Sequence, residues 1–244
     1  MTPSIRTAVM AAPSIEESRT RRKALPIEQK ESQRWIDMLR RGQELACQAP
    51  STQLICVADS EADIYEHLAE AQAEPRRVDW IVRAGGDRAL QNDAENTASA
   101  GLLLAEVMKS QVLFTKTITV RAREPKVACA VRGRCQPRQA RKAEVEVRAA
   151  RVMLRPPYRR DRKLPPLTVN VVLVREIAPP PGEEPVEWML LTSLSIATAE
   201  EVAVVIQYYC VRWMIEILFR TLKCGCRVEE RRFCLLYTSP SPRD

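Results

Sequence analysis

The chain holds one histidine, His67, among 244 residues. A serine or cysteine hydrolase triad would have to place its base there, on a helix face expected to be exposed, and a histidine-based metal site would lack ligands. Cysteine is present eight times, at 47, 56, 129, 135, 210, 224, 226 and 234, yet no pair of Cys-x2-Cys motifs occurs. Cys224-x-Cys226 has no partner knuckle, so the cysteines read as reduced thiols, with Cys56 and Cys210 acting as small hydrophobes in buried segments. No apolar run of about 18 residues and no signal-peptide pattern appears, so neither membrane insertion nor export is indicated. Aspartate is absent before Asp37.

What the chain does have is positive charge and one informative helix. There are 38 Lys+Arg against 31 Asp+Glu, a formal charge of +7 and a sequence pI near 9.1. That balance suits a polyanionic partner through counterion release. Near the C-terminus, Tyr209, Arg212, Glu216 and Lys223 stand at offsets of three, seven and fourteen. At roughly 100° per residue these fall within about 60° of one another on an α-helix and form one polar stripe. Val211, Met214, Ile215, Leu218, Phe219 and Leu222 fall opposite, which predicts a buried apolar face. Arg212–Glu216 and Glu216–Arg220 are also ordinary i,i+4 pairs of a solvated helix.

A second site lies in Gln53 to Tyr65. Leu54-Ile55-Cys56-Val57-Ala58 reads as a buried strand ending on Asp59, followed by a helix marked by Ala62, Ile64, Tyr65, Leu68 and Ala69. An aspartate at a strand's carboxyl end is where open α/β sheets gather ligands and catalytic groups. Asp59 or Ser60 could equally cap the helix, with Asp63 completing a capping box.

Together these segments resemble the DDE transposases of bacterial insertion sequences, in the IS-four branch with its Y-x2-R-x3-E-x6-K signature. Tyr209, Arg212, Glu216 and Lys223 reproduce that spacing in full. The block Val57 to Tyr65 resembles the second-aspartate motif, with Ser60 where Arg is usual, and 21–35 and 186–193 look familial as well. The resemblance covers roughly 20–233. It implies an α/β, ribonuclease-H-like (retroviral-integrase-like) catalytic core in which three carboxylates surround two divalent ions, Mg2+ or Mn2+, about 3.5–4 Å apart. Asp59 and Glu216 would be catalytic metal ligands. Tyr209, Arg212 and Lys223 would hold phosphates beside the scissile bond, and Arg83, closing the strand 79–83, is a further DNA contact. Trp188 and Trp213 match positions that pack near a flipped base, although core packing is the commoner role for Trp.

The first catalytic aspartate of that family lies on an earlier strand, and Glu16, Glu17, Glu28 and Glu31 sit in no strand pattern. The expectation is a chain truncated at both ends, lacking the first metal ligand and therefore strand cleavage. Its final stretch, 234–244, resembles a translated sequencing adapter and is excluded from fold reasoning.

The expected organisation is a charged irregular segment at 1–30, the first part of the core at 31–86, a β-rich basic insertion at 87–185, the end of the core at 186–233, and the non-native tail. A helix is expected from about Lys30 to Cys47 and another from Thr97 to Gln111. Strands are expected at Val112–Val120, Ala143–Val147, Val152–Leu154 and Leu167–Val174. Basic loops at Arg132-Gly133-Arg134, Arg138, Arg141-Lys142 and Arg159 to Lys163 could face phosphate. Implied partners are double-stranded DNA at transposon ends and, for the intact protein, a second copy, acting in the bacterial cytoplasm. The alternatives are an inactive DNA-binding remnant or a ribonuclease-H-like repair nuclease.

Overall fold

The computed structural model describes residues 25–91, 101–122, 138–159 and 162–226. Most of the segment 1–30, Arg132 to Arg134, Arg160 and the tail 234–244 lie outside them. The fold is α/β. After a short 3-10 turn at Ile27–Gln29, the elements in chain order are α1 (Gln33–Gln48), β1 (Leu54–Ala58), α2 (Tyr65–Ala71), β2 (Val78–Arg83), α3 (Leu103–Lys109), β3 (Val112–Val120), β4 (Arg141–Leu154), β5 (Leu167–Glu176), β6 (Glu187–Thr192), α4 (Ala199–Val211) and α5 (Trp213–Arg220). A π turn at Thr221–Gly225 follows.

All six strands belong to one sheet, in the order β1-β2-β6-β5-β4-β3. β1 and β2 are parallel and the remaining pairs antiparallel. The strands expected in 87–185 therefore extend the same sheet as β1 and β2 rather than forming a separate one. Two of them, Ala143–Val147 and Val152–Leu154, are halves of the single strand β4, paired with β5 without interruption from Val145 to Leu154. The sequence reading broke it at Arg148-Ala149-Ala150-Arg151, which lacks β-branched residues. The ladder on β5 supplies the continuity that local propensity does not.

Alternation along the strands gives the sheet two apolar faces. Trp80 and Val82 of β2, Val171 and Leu173 of β5 and Leu191 of β6 pack with Leu39 of α1, Tyr65 and Leu68 of α2, and Leu103 and Val107 of α3. Their neighbours Ile81, Val172, Val174 and Leu190 meet Val202, Val205, Ile206 and Tyr209 of α4 on the other side. The result is three layers with β5 and β6 buried from both faces. Gly42 lets α1 lie close on β1, since a Cβ there would come within 3.1 Å of Cys56 Sγ. α4 starts in a capping box: Thr198 accepts from the Glu201 amide and the Glu201 carboxylate accepts from the Thr198 amide, 3.2 Å each.

Two expectations about the informative helix are corrected. It is not one uniform helix, because a turn at Arg212 separates α4 from α5 and a π turn follows. The π turn takes in one more residue than an α turn, so Lys223 does not keep the phase assumed for it. Nor is the expected apolar face buried: Val211, Met214, Ile215, Leu218 and Phe219 are all exposed. Cys210 is exposed too, and His67 is buried at 4% exposure rather than lying on a solvent face. By length and composition the stretch Ala199–Gly225, mean hydropathy 1.6, could cross a membrane. Arg212 and Glu216 interrupt it, and its first half packs on the sheet.

Candidate nucleic-acid and metal site

Because β1 and β2 are parallel, their carboxyl ends lie side by side and bring Asp59 and Ser60 next to Arg83. Asp59 extends from the strand, with its Oδ1 accepting from the Glu61 amide at 3.0 Å, so the capping role and the strand-end position coexist. Asp63 forms no capping box. It is almost fully buried, and its Oδ2 accepts from the Gly85 amide at 2.7 Å. Its Oδ1 accepts from Arg88 Nε at 3.0 Å, and Arg88 Nη2 donates to the Asp63 carbonyl at 2.9 Å. The loop after β1 is thereby tied to the Gly85-Gly86 turn after β2. Arg83 Nη2 donates to Ser60 Oγ at 3.4 Å, and both residues line a 320 Å³ pocket with Gly86, Asp87 and Glu187.

The second half of the site arrives from the other sheet face. Tyr209 is buried at the end of α4, its ring 6.0 Å from that of half-buried Trp188 on β6. One turn later, the Arg212 guanidinium lies 5.8 Å from the Tyr209 ring centre and 5.0 Å from that of Trp213. From between these rings Nη1 reaches Asp59 Oδ2 at 3.8 Å and Nη2 reaches Glu216 Oε1 at 3.6 Å. Both separations are those of ion pairs longer than a hydrogen bond. Nε is buried with no hydrogen-bond partner among the described residues. Exposure rises outward, from 15% for the Arg212 side chain to 31% for Asp59 and 52% for Glu216.

The structure thus brings Asp59, Arg212, Glu216, Tyr209, Trp188 and Trp213 to one neighbourhood, with Arg83 beside Asp59 across Ser60. Lys223 stands further along, exposed on the π turn. A family model described as "Transposase DDE domain" matches residues 28–235. The chain belongs to the transposase DDE domain family. Members of this family carry out DNA transposition and generally use divalent metals, with DNA as substrate.

The residues present test that expectation. Asp59 and Glu216 are hard oxygen donors, and both point at one place where positive charge, the Arg212 guanidinium, already stands. Carboxylate oxygens are donors of the kind a divalent ion takes. Among the described residues no group of three or more His, Cys, Asp or Glu gathers around a common point.

Several basic residues expected to face phosphate are bound within the transposase domain instead. Arg141 donates bidentately to buried Glu176, Nε at 3.0 Å and Nη2 at 2.9 Å, and also pairs with Glu183. Arg159 Nε donates to Glu66 at 2.6 Å, and Arg162 pairs with Glu28 at 3.1 Å. These contacts join residues distant in sequence, which a reading by local charge density could not find. The Arg212–Asp59 approach was missed for the same reason. Its one signal was that both belong to motifs whose other members must meet.

Proposed function

We propose that this domain cuts and joins transposon ends by phosphoryl transfer, as a member of the IS-four branch of insertion-sequence transposases. In this reading 31–86 and 186–233 supply a ribonuclease-H-like core, and 87–185 is a β-rich insertion whose strands β3 to β5 extend the sheet of that core. The observation that supports it most is the convergence of Asp59 Oδ2 and Glu216 Oε1 on one cationic point from motifs far apart in sequence.

Asp59 and Glu216 would hold the metal, Mg2+ or Mn2+, whose chemistry when bound would be activation of the attacking hydroxyl and stabilisation of the leaving oxygen. The chain's own residues do the positioning. Arg212, Lys223 and Arg83 fix backbone phosphates, Arg212 by its planar fork, and Tyr209 contributes through its ring against the Arg212 guanidinium. Half-exposed Trp213 offers a ring to an unstacked base, and Trp188 backs Tyr209 from the sheet. Two copies would act on paired ends in the cytoplasm.

The test is relaxation of supercoiled plasmid by the purified chain. Among the described residues two carboxylates rather than three meet at the site, so the chain is expected to bind duplex and not to nick it. Nicking that requires Mg2+ or Mn2+ and is lost in Asp59→Asn and Glu216→Gln would overturn that expectation and give the cutting step to this chain. Nicking indifferent to either substitution would overturn the roles of the two carboxylates.

A further inference from the structure

Arg212 pairs with both carboxylates that the proposed reaction would use to hold metal. Its two ion pairs, at 3.8 and 3.6 Å, satisfy the outward charge of Asp59 and Glu216 without a close hydrogen bond to either. Its buried Nε has no hydrogen-bond partner among the described residues. The guanidinium thus lies within reach of two ring faces and at ion-pair distance from two carboxylates, and an acceptor offered from outside at hydrogen-bond distance would satisfy it better than its present contacts do.

We infer that Arg212 is an internal countercharge that competes with the metal for Asp59 and Glu216, and that a DNA phosphate relieves this competition by drawing the guanidinium onto itself. The inference rests on the metal-binding reading of the same two carboxylates. Two cations cannot share the space between them without repulsion, so binding a divalent ion requires the guanidinium to move or pay Coulombic cost. A phosphate gives it somewhere to move. Metal and DNA then favour each other's binding, and by linkage the coupling is the same in both directions. The exposures fit this order of events, since Glu216 and Asp59 are more open to solvent than the Arg212 side chain that pairs with them. A transposase so built keeps its carboxylates neutralised until it is on DNA and loads metal there.

The experiment is Mn2+ binding to the full chain, read by the loss of the free-ion electron paramagnetic resonance signal, with and without a short duplex of arbitrary sequence. Asp59→Asn in the same mixtures subtracts Mn2+ held by the DNA or elsewhere on the protein. The wild type should bind weakly alone and on the order of tenfold more tightly with duplex. Arg212→Met, which keeps the stem between the rings, should bind on the order of tenfold more tightly than wild type without duplex and gain little from it. Arg212→Lys, which keeps the charge, should stay weak alone. Asp59-dependent Mn2+ binding that is equal in wild type and Arg212→Met, or that ignores the duplex, would overturn the inference while leaving the metal site standing. No Asp59-dependent binding in any of them would overturn both.

Discussion

Buried Glu176 is the clearest single-residue hostage of this structure. Arg141 holds its carboxyl below the usual carboxylate range, and the Val186 amide adds a hydrogen bond at 3.0 Å. Arg141→Met strands that charge in the sheet and should cost about 3–5 kcal/mol in urea unfolding. The pair's contribution is fully present above the carboxyl's unfolded pKa, about 4.3, and is lost as pH falls through the lower folded value. His67 behaves similarly for the opposite charge. Burial pushes its pKa down, against the pull of Glu70, a hydrogen bond to the Ala62 carbonyl and Asp63. Below about pH 6.5 the unfolded chain takes up a proton that the folded chain resists, so wild-type stability should fall from pH 7 to 5. His67→Gln should lack that slope, and urea midpoints across the range would show it. Neither residue was legible as buried from sequence. A lone histidine beside Glu66 and Glu70 reads as a wet face, and only the packing of α2 under the sheet reverses that.

At the scale of elements, α4 depends on its start. It carries Tyr209 and Arg212 to the site, and its first turn is closed by the Thr198–Glu201 box. Thr198→Ala should cost about 1 kcal/mol of stability by urea denaturation, with Ser restoring most of it. Strand and helix existence was largely readable: β1 ends where the apolar run meets Asp59, β3 spans the expected Val112–Val120, and α1 follows its apolar spacing. Continuity was not. β4 runs through Ala149-Ala150 because β5 pairs it there, and α4 breaks at Arg212 although the 3.6-residue pattern continues. In both, a partner distant in sequence decides. The same holds for the site: the Y-x2-R-x3-E-x6-K spacing named Arg212, but its stand between Asp59 and Glu216 is a tertiary fact.

For the whole molecule, the sheet divides by chain order into two blocks. β1 and β2 make one, and β3 to β6 make the other as a succession of neighbours. Their ladder pairs Ile81 with Thr192, Val82 with Leu191 and Arg83 with Leu190, and it is extended by the Ala84 amide donating to the Met189 carbonyl at 2.7 Å, the Ser193 amide to the Trp80 carbonyl at 3.2 Å and Thr192 Oγ1 to the Trp80 carbonyl at 2.8 Å. Trp80 and Thr192 are 112 positions apart, so this joint carries the largest loop-closure cost in the sheet. It should form last on folding. In native-state hydrogen exchange, amides of Ile81–Arg83 and Leu190–Thr192 should open together and sooner than the interior of β4 and β5. Matched exchange across all four strands would show instead that the sheet opens as one unit. Asp59 belongs to the first block, whereas Arg212 and Glu216 follow the second. The lifetime of the site is therefore the lifetime of a short seam, and a substitution that loosens the seam would erode function before it measurably unfolds the protein.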